Sequence, residues 1–248
     1  MIAINSGKVV FFLSPTTVLS DQHFITSKNR LEHLGVNIEL ISRFKSKKEQ
    51  SKILNDLSNN KIDLVIGTHR LLSDDVPVEN LGLLIVDEEH KFGVKHKNKI
   101  QHLKKHTDIL TLTATPIPRT LQQSLVGIRD TSRITTPPLN KLPIKTYIKR
   151  FDWGWIKNSI EKETSRGGQV YFLHNNIKNL NKIKESLSYF FPNLNIQIGN
   201  GQMHSKKLEK IILKFFEGKI DVLVCTTIIE SGLDVTNANL IIIDNAHS

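Results

Sequence analysis

"LLIVDEEHKFG", residues 83–93, decides how the chain is read. An unbroken apolar run ends in Asp87, Glu88 and Glu89, followed by His90. A run of this kind is a buried strand of a parallel sheet, and acids at its end are costly unless a cation is held there. Asp87, directly after the strand, suits Mg²⁺ held through water, since that ion keeps most of its hydration shell. Glu88 then suits orienting or deprotonating a water that attacks a phosphoryl group, and His90 sensing the nucleotide. The competing reading is an exposed acidic strand end with no ligand.

Similar runs recur along the 248 residues. VVFFLSP (9–15), IDLVIGT (62–68), DILTLTA (108–114), QVYFLHN (169–175), IDVLVCT (220–226) and NLIIID (239–244) read as further buried parallel strands. Between them, SKKEQSKILNDLSN (46–59) and SKKLEKIILKFFEG (205–218) show helical spacing after a serine cap. The alternation predicts a doubly wound α/β architecture.

The halves also repeat each other. KIDLVIGTHRL (61–71) aligns with KIDVLVCTTII (219–229), LLIVDEEH (83–90) with LIIIDNAH (240–247), and VNIEL with LNIQI. Val10/Val170 are 160 residues apart, Asn37/Asn195 and Asp63/Asp221 158, and Asp87/Asp244 157. Four matches in order predict tandem related lobes joined near ITTPPLNKLPIKTY (134–147), where three prolines punctuate the chain. Lobe two ends the matching strand in Asp244, Asn245, Ala246 and His247, so only lobe one keeps the hydrolytic acid.

Composition bounds the partners. Lys and Arg number 34 against 24 Asp and Glu, a net charge of +10. A polyanion such as nucleic acid fits, but the excess is +5 on either side of residue 140 and marks no patch. The one cysteine, Cys225, lies in an apolar run and excludes a disulfide framework. A reducing, cytoplasmic location is expected. No apolar run approaches the roughly 20 residues of a membrane span, and the N-terminus reads as a strand, not a signal peptide.

Ligands of open α/β sheets bind beyond the carboxyl ends of strands. Those ends carry Thr16–Thr17, Gly67–Thr68–His69, Asp87–His90 and Thr113–Thr115 in lobe one. Lobe two offers Gly201–Gln202, Thr226–Thr227 and Gly232–Asp234. Paired threonines there serve either phosphate binding or helix capping. TLTATPIPRTL (111–121) is a stiff hydroxyl-bearing loop, either a relay between lobes or a tight turn. His102 and His106, four apart, read as a solvated basic helix face in preference to a metal site. Trp153 and Trp155 read as packing residues in preference to base-stacking platforms.

Together PTTVLSDQH, GTHRLL, DEEHKFGV, LTATPIPRTL and CTTIIESGLDVTNANLIIID resemble motifs Ia, Ib, II, III and V of superfamily-2 helicases, in order and spacing. The chain is most similar to the translocase module of bacterial transcription-repair coupling factors, with RecG-type branch-migration helicases as near neighbours. ISRFKSKKEQ (41–50), DEEH and CTTIIESGLD favour the former; the RecG type typically carries Gln where Glu89 stands. The resemblance implies two RecA-like lobes, residues 1–140 and 141–248, with ATP and Mg²⁺ in the cleft and translocation on double-stranded DNA. In that family the motor pushes stalled RNA polymerase off DNA and helps recruit excision-repair proteins. Asp87 and Glu88 would be the metal and water-activating acids, with His90 beside them. Glu89, Thr113, Ala114 and Thr115 would couple the ATP site to DNA, and Gly232 and Asp234 would approach the nucleotide. Thr16, Thr17, Thr68, His69, Gly201, Gln202, Thr226 and Thr227 would line the DNA path.

Two elements of that machinery are not in these residues. A phosphate loop needs G-x-x-x-x-G-K-[ST]. Neither Gly7-Lys8 nor Gly218-Lys219 is followed by Ser or Thr or preceded by the required glycine. The arginine finger of the family follows the motif V strand, whereas the last arginine here is Arg166. The isolated chain is therefore expected to be inactive as an ATPase. A RecG-type fork-remodelling fragment, or an inactive remnant that binds DNA weakly, are the alternative readings.

Overall fold

Two parallel sheets of one topology organise the chain in the computed structural model, which describes residues 1–43, 45–104, 106–114, 130–136, 143–227, 235 and 237–246. The first sheet contains β1 (Val9–Leu13), β2 (Ile38–Ile41), β3 (Leu64–Gly67), β4 (Leu81–Asp87) and β5 (Asp108–Leu112), in the order β2-β3-β1-β4-β5. The second contains β6 (Val170–His174), β7 (Ile196–Gly199), β8 (Val222–Cys225) and β9 (Leu240–Asp244), in the order β7-β8-β6-β9. Substituting β6, β7, β8 and β9 for β1, β2, β3 and β4 maps one order onto the other, and every pairing is parallel. The repeat in the sequence is thus a repeat in space, and the tandem RecA-like fold is as expected.

The paired residues also make the same bonds. Asn37 N donates to Asp63 Oδ2 at 2.8 Å, and Asn195 N to Asp221 Oδ2 at 2.7 Å. The backbone returns the bond each time, Asp63 N to Asn37 O and Asp221 N to Asn195 O, both 2.9 Å. This clamp fixes where β3 enters beside β2, and β8 beside β7. Each Asp carbonyl then accepts from the start of the matching strand, from Val10 N in β1 and Val170 N in β6.

Helices α1 (Ile2–Asn5), α2 (Thr17–Leu31), α3 (Lys47–Ser58) and α4 (Val94–Leu103) accompany the first sheet; α5 (Trp153–Thr164), α6 (Leu180–Phe190) and α7 (Ser205–Phe216) accompany the second. Ser46 caps α3 in a reciprocal capping box with Glu49. Ile53 and Leu57, four apart, bury its inner face with Phe11, Leu13 and Val65. The second lobe repeats that core with Ile160, Phe172, Leu187 and Val224.

Several expectations need correction. Ser205 is the first helical residue of α7; His204 holds the cap position and makes no side-chain cap bond. Among the described residues β5 and β9 are edge strands, each paired on one side, and Leu110, Leu112, Ile241 and Ile243 are exposed where full burial was expected. VNIEL and LNIQI contain strands β2 and β7, short and interrupted by Glu39 and Gln197, which hides their pattern. His106 lies beyond the end of α4, so it shares no helical face with His102, and no metal-binding cluster exists among the described residues. Trp153 and Trp155, as expected, pack against the second core, Trp153 with its ring centroid 5.6 Å from Phe190. Cys225 is buried, and burial pushes its thiol up to about 12, which makes it an unreactive core residue.

The two lobes meet where α2 faces α7. Asp21 on α2 has its carboxyl pushed up to about 6, first by burial and then by Glu217 beyond α7, with Lys45 opposing. The folded protein therefore holds this proton more tightly than the unfolded chain. The ionised carboxylate disfavours the fold above pH 6, and that penalty relaxes as pH falls towards 4. Asp21→Asn is expected to raise the melting temperature at pH 8, with the gain shrinking between pH 6 and pH 4 in a series of thermal melts. A gain independent of pH would contradict this.

Candidate nucleotide and nucleic-acid site

Strand register brings the polar clusters of lobe one to a single edge. Leu13 is level with Gly67 on one side and Val86 on the other, and Asp87 is level with Leu112. The residues that follow each strand, Ser14–Thr17, Thr68–His69, Glu88–His90 and Thr113–Ala114, therefore stand side by side at the carboxyl end of the sheet.

Glu88 is the centre of this edge. Its backbone is left-handed, with φ 49°, a conformation that L side chains other than Asn and Asp seldom adopt. Glu88 N donates to Leu112 O at 2.9 Å, tying the turn to the end of β5. The side chain is 3% exposed and its oxygens are engaged on several sides. Thr113 Oγ1 donates to Oε2 at 3.1 Å, Ala114 N donates to Oε1 at 3.3 Å, and His90 Nδ1 lies 3.2 Å from Oε2. Strained backbone persists where surrounding structure over-determines it, and such residues cluster at functional sites. Here the acid is fixed by the loop after β5 and by the turn that contains Glu89 and His90.

Asp87, at the last position of β4, is held by His23 of α2, with Nε2 3.0 Å from Oδ2. His23 in turn stacks on Phe12 of β1, centroids 4.4 Å apart. A carboxylate anchored at a strand end by one histidine fits a water-mediated ligand of Mg²⁺ better than a full protein cage.

Lobe two repeats the frame without the acid. Asp244 ends β9 and its Oδ2 lies 2.9 Å from His174 Nδ1; the aspartate again meets a histidine, here from β6 and not from the helix that carries His23. The next residue, Asn245, has φ 54°, matching Glu88. Asn tolerates this conformation; Glu does not do so readily. The strained turn is thus kept in both lobes, with a comfortable residue in one and a buried carboxylate in the other.

The remaining expected site residues divide in three. Thr16 caps α2, accepting from Leu19 N at 3.3 Å, and Thr17 opens the helix with its hydroxyl turned to Glu209 of α7, so both threonines have structural partners. Thr68 is buried at the end of β3, and His69 begins the following turn with its ring 5.2 Å from His96. Burial first, then His96 and Arg43, hold the His69 imidazole below its usual pKa. In lobe two, Gly201 and Gln202 form the turn after β7, and Gln202 lines an open cavity of about 510 Å³ with His174, Lys178 and Asn245. Thr226 and Thr227 follow β8, and Thr226 N donates to Gly199 O at 3.3 Å. Thr115, Gly232 and Asp234 lie outside the described residues. His23 and His174 were not anticipated; His23 sits inside the PTTVLSDQH stretch, but its reach to Asp87 depends on the fold.

Two lobes, each built on a parallel sheet of matching strand order, with an acid cluster at the strand ends of the first and its altered copy in the second, define a two-lobed helicase core. The chain belongs to the DEAD/DEAH box helicase family: residues 1–124 match that family, and residues 154–248 match the helicase conserved C-terminal domain. Among relatives, it is 48% identical over 244 residues to the transcription-repair-coupling factor of Bacillus subtilis, covering 98% of this chain and 21% of that protein. The Escherichia coli transcription-repair-coupling factor is likewise 48% identical over 245 residues, 99% of this chain and 21% of that protein. The chain spans about a fifth of the length of these relatives. A solved structure of RecG bound to a three-way DNA junction superposes with a TM-score of 0.74 at 32% identity, over 95% of this chain and 31% of that one. The resemblance to the coupling-factor translocase module read from the motifs is thereby borne out.

Proposed function

We propose that these residues form the motor core of an ATP-dependent double-stranded DNA translocase of the transcription-repair coupling type, with lobes spanning residues 1–140 and 141–248. The observation that carries this is the buried, strained Glu88, held by Thr113, Ala114 and His90 beside a strand-end Asp87. Bound Mg²⁺ would neutralise charge on the phosphates of ATP. Asp87 would hold the hydrated ion, Glu88 would accept the proton of the attacking water, and Thr113 would report the state of that carboxylate to the loop after β5. Glu89 and His90 lie in the same short turn and would move with Glu88. Thr115, Gly232 and Asp234 take the coupling and nucleotide-facing roles that the motif resemblance implies. Thr16, Thr17, Thr68, His69, Gly201, Gln202, Thr226 and Thr227 would follow the DNA backbone, which Thr and His side chains and helix N-termini contact without reading sequence.

The coupling type is supported over the RecG type by 48% against 32% identity and by Glu89. Displacement of stalled RNA polymerase and recruitment of excision-repair proteins would use parts of the longer relatives outside the aligned region. A cytoplasmic setting suits these partners, and no helix among the described residues is long and apolar enough to cross a membrane.

Because no G-x-x-x-x-G-K-[ST] stretch occurs among the 248 residues, the lysine cradle for the phosphates is missing from them. The purified chain alone is expected to show no DNA-stimulated ATP hydrolysis in a phosphate-release assay. Turnover that Glu88→Gln abolishes would overturn that expectation.

A further inference from the structure

A carboxylate from lobe two sits where lobe one is built to hold an anion. Arg43, just beyond the end of β2, donates Nε to Glu209 Oε2 at 2.9 Å, and its Nη2 contacts Oε1 of the same carboxylate. Thr17, the first residue of α2, donates Oγ1 to Oε1 at 3.3 Å. The Glu209 side chain is only 14% exposed, whereas that of Arg43 is 46% exposed. A guanidinium fork beside a hydroxyl at a helix N-terminus is the arrangement that a phosphate takes, and a carboxylate fills it with two oxygens in a similar plane. Arg43 also lies close enough to His69 to help lower its pKa, and His69 lies against His96.

A second pair in this lobe–lobe contact is like-charged. Asp21, one turn beyond Thr17 on α2, faces Glu217 beyond the C-terminus of α7, with Lys45 as the nearby cation. The Arg43–Glu209 pair thus sits beside a like-charged pair in the same contact.

We propose that Arg43 and Thr17 form a phosphodiester-binding site that Glu209 of α7 fills in the DNA-free chain, so that duplex binding and this lobe–lobe contact exclude one another. This rests on the duplex-DNA reading above and adds to it a residue, Arg43, and a built-in competitor, Glu209. A phosphodiester entering the fork displaces Glu209, and the freed α7 lets lobe two move relative to lobe one.

The test is fluorescence anisotropy of a labelled 20-base-pair duplex against the 248-residue chain over a range of salt. Glu209→Gln and Glu209→Ala are expected to tighten binding, by about threefold to tenfold, because the competing charge is gone. Arg43→Ala is expected to weaken binding by about tenfold and to reduce the salt slope by about one, the signature of one lost phosphate contact. Arg43→Lys, which keeps the charge but not the fork, is expected to fall between. Glu161→Gln, on the exposed face of α5, controls for net charge and is expected to change nothing. The proposal is overturned if both Glu209 variants bind no more tightly than the unaltered chain, if Glu161→Gln tightens binding equally, or if Arg43→Ala has no effect. In each of those cases duplex binding by the unaltered chain leaves the translocase reading standing. Absence of binding by the unaltered chain and by both Glu209 variants overturns both together.

Discussion

Glu88→Gln is expected to lower ATP turnover by about 10²- to 10⁴-fold once these residues are joined to a phosphate loop, with nucleotide affinity unchanged. A suitable carrier is the Bacillus subtilis transcription-repair-coupling factor with its matching 244-residue segment replaced by this one. Gln has the shape of Glu, and its amide oxygen can still accept from Thr113 Oγ1 or Ala114 N, the two donors that position the side chain. What it cannot do is take a proton. The change therefore separates positioning from proton transfer, and the loss should fall on kcat and not on KM. An effect confined to KM would mean that Glu88 serves binding alone.

The second large effect concerns stability. Gly67 ends β3 level with Ile41, and a Cβ there would lie 2.6 Å from Ile41 O and 3.0 Å from Leu71 Cγ. Its φ is not in the left-handed region, so space and not torsion calls for glycine. Leu71 can shift its side chain; the carbonyl of β2 cannot move without breaking the ladder. Gly67→Ala is expected to destabilise the first lobe by about 1–3 kcal/mol, as overpacking does. Urea unfolding would show it as a lower midpoint. Since Thr68 and His69 follow directly, the same change should also displace two residues proposed to follow the DNA backbone.

The repeat was legible because its anchors are chemical and sit at strand entries and exits. Asn37 and Asn195, with Asp63 and Asp221, share an offset because they make the same clamp. Asp87 and Asp244 correspond because each ends the strand that pairs beside the equivalent strands β1 and β6. The acid cluster was legible for the same reason: a charge after so apolar a strand stands out. What stayed hidden depends on residues far apart in sequence. His23 reaches Asp87 across 64 positions, and Arg43 reaches Glu209 across 166. The left-handed turn shared by Glu88 and Asn245 was hidden too, since nothing in DEEH announces a positive φ. The short edge strands β2 and β7 were missed because a polar residue interrupts four.

That hidden turn sharpens the contrast between the lobes. Both have a strand-end aspartate bonded to a histidine, though from different elements, His23 of α2 and His174 of β6; only lobe one places a carboxylate in a backbone conformation better suited to asparagine. A remnant free of function would have no reason to retain the strained acid. A motor that hydrolyses ATP at one lobe would.

The most direct measurement is triplex displacement along duplex DNA by the chimeric coupling factor, with and without Glu88→Gln. ATP-dependent displacement by the chimera, lost on Glu88→Gln with duplex binding intact, is the expected result. A chimera that folds and binds duplex DNA but displaces nothing, or one that displaces equally with Gln at position 88, contradicts the assignment of these residues as a translocase motor.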